Sequence, residues 1–585
     1  MSRNAEVAEI LEEFADLLEA KDVEYKPRSY RRAAENILDY PVAIEELATD
    51  GPAAVKAIEG VGDAIADKVV EYHETGQINE LVELREELPV RMDELTAVEG
   101  VGPKTVGALY EALGITTLDE LEAAATDQLI RDVSGFGAKT EENILENIPF
   151  AKAASTRELL GHGRPVADDL LAHLRDHDDV IAAEVAGSIR RWRPTIGDID
   201  ILVGTDEPAA VVQRFISWDR VDRVIESGES KASVRARGIQ IDIRLVRPDE
   251  FGSALQYFTG SRDHNVRLRN RAIERGLKMN EYGIFSVADI DENDTTENQR
   301  AGERIAGETE ASMYDALELS WIPPELREDN GEIDHAAAGE LPTLLTMEDI
   351  RGDLHTHTTW SDGNRTIEEL AIAAANFGHE YLGICDHATG PGMVGGVGLT
   401  DEELHEQRQE IDGINAETDI EILAGVEANI DETGSISVGD DVLAELDLVV
   451  ASPHSELSQD SESATRRLSK AVSHPEVDIL GHPTGRLLNS REGLDINIET
   501  LATQAAQHNT ALEVNANPRR LDLDGNLVRV ALEAGAMIVI NTDAHSPSEF
   551  SNMRYGVHTA RRGWATDELT LNTNSVEELL ATLSS

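Results

Sequence analysis

The sequence predicts a multidomain chain with three parts: an all-helical N-terminal part, an α/β middle, and a C-terminal (β/α) barrel. Three observations predict it. A short Gly-hydrophobic-Gly pattern occurs three times within helical periodicity before residue 150. From about residue 181 the periodicity changes to strand alternation, with three aspartates set among apolar residues. After residue 346, short apolar runs alternate with helical segments, and histidines and acids follow the runs.

The length fits this division, since 585 residues is too long for one ordinary domain. Hydrophobic residues make up 41% but aromatics only 4%, so the cores must be built from Ala, Val, Leu and Ile. No long apolar run and no signal-peptide pattern after Met1 is present, which predicts a soluble, cytoplasmic protein without a membrane partner. The single cysteine, Cys385, excludes an internal disulfide and any all-cysteine metal site. The net charge of −62 argues at first sight against nucleic acid. Yet the acids are spread along the whole chain, and Arg far outnumbers Lys, as expected of a halophile whose cytoplasmic salt screens surface repulsion.

The first element is an amphipathic helix over residues 5–20, with Val7, Ile10, Leu11, Phe14, Leu17 and Leu18 on one face and Asn4 as a plausible N-cap. The repeats are Ile58-Glu-Gly-Val-Gly62, Val98-Glu-Gly-Val-Gly102 and Val133-Ser-Gly-Phe-Gly137, each leading into a helix that carries Lys68, Lys104 or Lys139 early on. Glycines permit close backbone approach, and the amides of the next helix start face an anion. The three repeats resemble helix-hairpin-helix modules, which implies DNA-backbone contact by Gly60, Gly62, Gly100, Gly102, Gly135 and Gly137. Backbone amides carry no net charge, so such contacts are compatible with an acidic protein.

In the middle part, Asp198-Ile-Asp-Ile-Leu-Val203 and Ile239-Gln-Ile-Asp-Ile-Arg-Leu245 read as strands. Residues two apart on a strand share a face, so Asp198 and Asp200 project together and Asp242 can lie beside them. Unpaired carboxylates within apolar strands are costly, whereas three convergent ones suit divalent cations for phosphoryl transfer. Gly187-Ser188 ahead of Gly197-Asp-Ile-Asp200 resembles the nucleotidyltransferase signature of family X DNA polymerases, and Tyr257-Phe-Thr-Gly-Ser261 with Asn265 resembles their thumb motif. The resemblance covers roughly residues 1–320. It implies Mg2+ or Mn2+ at Asp198, Asp200 and Asp242, with Asp242 helping to activate the primer 3′-hydroxyl. It also implies nucleotide contacts by Gly187, Ser188, Arg191, Gly197 and Gly260, with Tyr257 and Phe258 at the sugar and Asn265 at the base.

The N-terminal part further resembles the 8-kDa domain of this family in Tyr30-Arg-Arg32 and Gly60-Val-Gly-Asp-Ala-Ile-Ala-Asp-Lys68. That implies phosphate contact by Lys26 and Tyr30, and a deoxyribose-phosphate lyase nucleophile at Lys68. Ala64 departs from the pattern where another lysine is usual, and the acidic neighbour Asp67 works against a lowered lysine pKa.

Residues 322–345 mix proline, acids and small residues and read as a linker. Beyond it, His355, His357, Asp362, His387, Glu427, His454, His482, Asp543 and His545 mostly follow the apolar runs 382–384, 422–426, 446–450, 477–480 and 537–540. A (β/α) barrel gathers its site at the carboxyl ends of its strands, and this donor set suits Zn2+, Mn2+ or Fe2+. The pattern resembles the PHP (polymerase and histidinol phosphatase) domain, which implies a distorted (β/α) barrel, three ions and phosphoester hydrolysis. Arg486 is a candidate for substrate phosphate.

Together the resemblances identify a family X DNA polymerase of the archaeal and bacterial type with a C-terminal PHP domain. They imply a monomer acting on gapped or nicked DNA and deoxynucleoside triphosphates in base-excision repair, with a 3′→5′ exonuclease and scope for cleavage at abasic sites. The expected divisions are an 8-kDa-like domain (1–85), a fingers-like domain (86–150), a nucleotidyltransferase palm (151–250), a thumb-like domain (251–321), the linker, and the PHP domain (346–585). The alternatives are a histidinol-phosphate-type phosphatase with an N-terminal DNA-binding module, and a DNA-end scaffold with both sites inert.

Overall fold

A computed structural model of the chain describes all residues except 1–2, 24, 39–43, 59, 99, 155–156, 288–298, 391–397 and 584–585. Glu59 and Glu99 of the first two repeats thus lie outside the described residues. The chain divides into a unit of residues 1–157 with 487–492, and a unit of the remaining residues from 158 to 585.

The first unit is helical. Its opening helix, α1 (Arg3–Ala20), buries Leu11, Phe14 and Leu18 in a core shared with Ile37, Val69, Val106 and Leu121. Asn4 lies inside α1 rather than capping it, and its side chain accepts a hydrogen bond from the Ile44 amide at 2.7 Å. Three helices follow the repeats: α2 (Asp63–Thr75), α3 (Pro103–Leu113) and α4 (Ala138–Ala154).

The second unit holds a five-stranded sheet, a thumb-like subdomain and a barrel. The sheet strands are β1 (Ala182–Val185), β2 (Ile199–Gly204), β3 (Val221–Ser227), β4 (Lys231–Ala236) and β5 (Ile239–Val246), in the order β1-β2-β5-β4-β3. Alternation in β5 buries Ile239, Ile241, Ile243 and Leu245, so Asp242 faces away from them. β2 and β5 run parallel with Asp200 opposite Asp242, a register that the apolar alternation of both strands fixes.

Segment 322–345 is folded rather than a free linker. Leu326, Ile333 and Leu344 join a core with Met279, Ile284 and Ala306 of the thumb-like three-stranded antiparallel sheet (277–280, 283–286 and 303–306), and Arg327 is fully buried. Its guanidinium donates to Glu310 at 2.6 Å and to the Ile322 carbonyl. A buried charge paired in this way holds the segment against the thumb.

The barrel strands are β6 (Gly352–Thr356), β7 (Tyr381–Ile384), β8 (Glu421–Asn429), β9 (Leu448–Ser452), β10 (Ile479–Leu480), β11 (Ala511–Asn515) and β12 (Ile538–Asn541). They form one parallel seven-stranded sheet in sequential order. A bridge between Thr356 and Ala544 joins the outer strands at their carboxyl ends. Burial on both faces explains why β7, β9 and β12 read as continuous apolar runs. Side-chain caps at Thr366, Thr400, Asp460, Asn497 and Asp524 start the intervening helices. No helix among the described residues is long and apolar enough to cross a membrane.

Candidate metal centres and DNA-backbone contacts

The carboxyl ends of the barrel strands bring all nine expected donors together. His357, Asp362, His387 and His545 can place one donor atom each within 4.8 Å of one another, as can His355, His357 and Asp543, and His387, Glu427 and His454. His482 joins through Glu427, with Nε2 at 3.1 Å from Oε1. Glu427 is thus the hub, with His387 at 2.7 Å and His454 at 3.1 Å. His355 Nε2 and both ring nitrogens of His357 are buried without a hydrogen-bond partner, which is costly unless a cation takes their lone pairs. The electrostatics agree. Burial opposes charge on His387, yet Glu427 and Asp362 push its pKa up to about 11. Burial likewise opposes charge on His545, but Asp362 and Asp543 push it up to about 10. Burial and neighbouring imidazoles instead lower His357 and His454, so charge is unevenly shared among the histidines, and the donor set as a whole fits divalent ions.

Around these donors sits a shell of residues that the sequence reading missed. Glu513 on β11 is fully buried and accepts from His355 Nδ1 at 2.7 Å, from the His482 amide at 2.6 Å and from Asn541 at 3.0 Å. It fixes the His355 tautomer with Nε2 facing the cluster. The available signal was an acid within an apolar strand, the same signal that marked Asp242. Asp386 is likewise buried, and accepts from Thr358, Ser361 and Gln407. Arg486 is spent on the Arg520 carbonyl (2.8 Å), the Leu521 carbonyl and Asp524 (3.2 Å), so it does not face the donors. Arg520 stands there instead, 3.8 Å from Asp543. Glu513→Gln is expected to weaken metal binding at this centre by about 10- to 100-fold, read by competition with a chromogenic chelator.

In the five-stranded sheet, Asp198, Asp200 and Asp242 also bring their carboxylates within 4.8 Å of one another. Asp242 accepts from Ser233 on β4 and from Gln240 at 3.2 Å, which orients it. Burial, then the charges of Asp198 and Asp242, push the Asp200 carboxyl up to about 6, with Arg244 and Arg191 opposing. Three convergent acids that repel one another fit cations, not solvent alone. The sign for metal binding follows. Below about 6 a proton competes at Asp200, so apparent Mn2+ affinity should climb with pH, by up to about tenfold per unit, and level off above it. Mn2+ titration by electron paramagnetic resonance, taken as the difference between His357→Ala and the same variant with Asp200→Ala added, reads this, and a pH-independent difference would contradict it.

The nucleotide-contact candidates surround this triad. Gly187 opens helix α5 (Gly187–Arg190) with φ +59, and a Cβ there would lie 2.3 Å from Asp200 Oδ2, so only glycine fits. Ser188 follows it in α5, and Gly197 is exposed just before Asp198. Helix α6 (Phe251–Thr259) carries Tyr257 and Phe258, whose rings pack edge to face, and the Arg244 guanidinium lies 4.4 Å over Phe258. Gly260 has φ +71, and its Cβ position is 3.1 Å from the Arg191 guanidinium. Arg191 itself donates to the Thr259 carbonyl and to Glu328. Asn265, on helix α7 (Arg262–Glu274), is 8% exposed, with its amide bonded to Gln256 and to the Tyr257 carbonyl. A base contact by Asn265 therefore requires those bonds to open.

The three hairpins share one geometry. Gly60, Gly100 and Gly135 have φ of +73, +83 and +92, and the residue between each glycine pair donates its amide back to the carbonyl three residues earlier. Val61 and Val101 are buried and Phe136 packs on the core, which anchors each turn from below. Gly62 and Gly102 cap α2 and α3 with ordinary φ and no side-chain cap. A Cβ on Gly62, Gly102 or Gly137 would meet nothing within 4 Å. Internal packing does not require glycine there, so the bare backbone serves whatever approaches from outside. Lys26 is exposed at a helix start. Tyr30, by contrast, is buried and stacked on Phe14, with Lys68 beside its hydroxyl. Lys68 pairs with Glu80 at 2.7 Å, and although burial opposes the ammonium, Glu80 and Tyr30 raise its pKa.

Comparisons with known proteins match these parts. Family models for a helix-hairpin-helix domain match residues 2–78, for a SAM-like helix-hairpin-helix tandem 92–148, for the DNA polymerase beta thumb 254–328, and for the PHP domain 353–517. The chain is 36% identical over 583 residues to the DNA polymerase/3′-5′ exonuclease PolX of Bacillus subtilis, covering 99% of both chains. It is 24% identical over 347 residues to DNA polymerase lambda of Rattus norvegicus, covering 56% of each. A probable phosphatase of Thermoanaerobacter sp. is 31% identical over 235 residues, 38% of this chain and 90% of that protein.

Proposed function

The chain belongs to the family X DNA polymerases that carry a PHP domain, and from that membership we propose how its two centres divide the chemistry. It is a DNA repair polymerase with a 3′→5′ exonuclease, dependent on divalent metal and binding DNA. The observation that carries the division is the presence of two complete donor sets in one chain, the aspartate triad and the histidine cluster. A phosphatase with a mere binding module would have no use for the triad.

Asp198, Asp200 and Asp242 would hold Mg2+ or Mn2+, which would supply charge stabilisation for phosphoryl transfer. Asp242, oriented by Ser233 and Gln240, helps take the primer hydroxyl proton. Arg191 and the amides at the start of α5 bind the triphosphate, Ser188 and Gly197 line it, and Tyr257 and Phe258 pack on the sugar. The substrate is a deoxynucleoside triphosphate paired in a short gap, and the glycine amides of the hairpins grip the flanking backbone. At the cluster, the nine donors would hold Zn2+, Mn2+ or Fe2+, three ions as the PHP resemblance implies, which would activate a water for phosphoester hydrolysis. The working molecule is a monomer. The expected domain divisions stand in this proposal, with 322–345 as a packed strap rather than a spacer.

Lys68 completes the proposal as a deoxyribose-phosphate lyase nucleophile. Its ammonium must first lose a proton, which the Glu80 ion pair at 2.7 Å opposes, so trapping should strengthen as pH rises. Borohydride trapping on abasic DNA is expected for wild type and lost in Lys68→Ala; trapping that persists would remove lyase chemistry from this lysine. The acidic composition fits a halophile, and thermal midpoints should rise with KCl. The function as a whole is tested by supplying a duplex with a one-nucleotide gap, dNTPs and Mn2+. Gap filling and removal of a mispaired 3′ end should both appear, and both should vanish with EDTA.

A further inference from the structure

The segment after α5 is held from two sides, and one side belongs to the barrel. Helix α8 (Met553–Arg562) starts just beyond His545 and lies against residues 191–193. Arg562 donates to the Arg191 carbonyl at 2.7 Å. His558 stacks on Trp192 with ring centres 3.6 Å apart and planes 7° from parallel, while Arg164 covers the same indole at 4.6 Å. Trp192 has φ +53, a conformation a bulky residue adopts only where its surroundings impose it.

The side chains add a charge relation. Glu328 lies 3.2 Å from Arg191 Nε, 3.2 Å from Arg562 and 3.6 Å from Arg193. Burial opposes its ionisation, but Arg191, Arg562 and Arg193 hold it below the usual carboxylate range. Glu328 and a bound triphosphate therefore compete for the same guanidinium. Every positive charge Glu328 finds elsewhere makes Arg191 easier to release.

We propose that the barrel contributes Arg562 to nucleotidyl transfer as a positioning residue, which fixes the Arg191 main chain and neutralises Glu328 so that Arg191 can turn to the incoming triphosphate. The inference rests on the reading of Arg191 as a triphosphate contact. It makes the polymerase centre dependent on the barrel without involving the barrel's own chemistry.

The test is a set of full-length variants, Arg562→Ala, Arg562→Lys, Glu328→Gln and Arg562→Ala with Glu328→Gln, assayed for dNTP KM and kcat on gapped DNA. A fluorescent dNTP analogue in Ca2+ reads binding without turnover. Arg562→Ala is expected to raise KM and the analogue's Kd about fivefold, with kcat changed less than about twofold. Arg562→Lys should recover part of the loss, and adding Glu328→Gln to Arg562→Ala should recover most of it, because the competitor is gone. Unchanged dNTP binding in Arg562→Ala would overturn the proposal. So would a loss that Glu328→Gln does not relieve, since Arg562 would then only hold two domains together. Arg191→Ala separates the two levels: if it leaves dNTP binding intact, the triphosphate reading itself has failed.

Discussion

Asp200→Ala is expected to lower gap filling by at least about a thousandfold while leaving 3′→5′ exonuclease activity within about twofold of wild type. Asp200 is the carboxylate that β2 places directly opposite Asp242 and against the bare backbone of Gly187. Without it the remaining two acids cannot complete the donor set. The fold should not suffer. In the metal-free protein Asp200 is ionised at a cost, since burial and two neighbouring carboxylates push its pKa up to about 6. Removing that charge relieves repulsion, so Asp200→Asn is expected to raise the thermal midpoint of the metal-free protein at neutral pH. A folding defect and a catalytic defect would therefore move in opposite directions.

His357→Ala is the reciprocal case. His357 belongs to two of the three donor groups at the barrel rim, one with Asp362, His387 and His545 and one with His355 and Asp543. Its loss should empty more than one position and lower the exonuclease by about a thousandfold or more, with polymerisation retained. Metal analysis by inductively coupled plasma should show fewer bound ions per chain than wild type. An unchanged metal count with lost exonuclease would mean that His357 acts on substrate rather than on metal.

How far the sequence foretold these centres depends on the range of the interactions. Donors such as His387 and His454 were legible because each follows an apolar run that becomes a barrel strand, a local pattern. The aspartates were legible because alternation alone fixes their face, although their register needed the pairing of Asp200 with Asp242. Arg327 was not legible. Its segment has the composition of a linker, and its burial depends on Glu310, 17 residues earlier, a spacing that matches no helix or strand period. Glu513 could have been found, since an acid between Leu512 and Val514 is as costly there as in β5. Tyr30 shows the converse: it stands in helical register with Ala33, Ala34 and Ile37, all buried, and that stripe outweighs the phosphate-contact pattern it resembles. Arg191 was placed beside the triad, but its partners Glu328 and Arg562 come from segments whose packing only the folded unit reveals.

The separate operation of the two centres is tested most directly by following conversion of a labelled dNTP to dNMP on a primed duplex. The nucleotide must first be added at one centre and then cut off at the other. Wild type should produce dNMP steadily, Asp200→Ala and His357→Ala should each produce none, and a mixture of the two variants should restore it through exchange of the DNA. If His357→Ala alone still releases dNMP, or if either variant loses both extension and excision, the two-centre account is wrong.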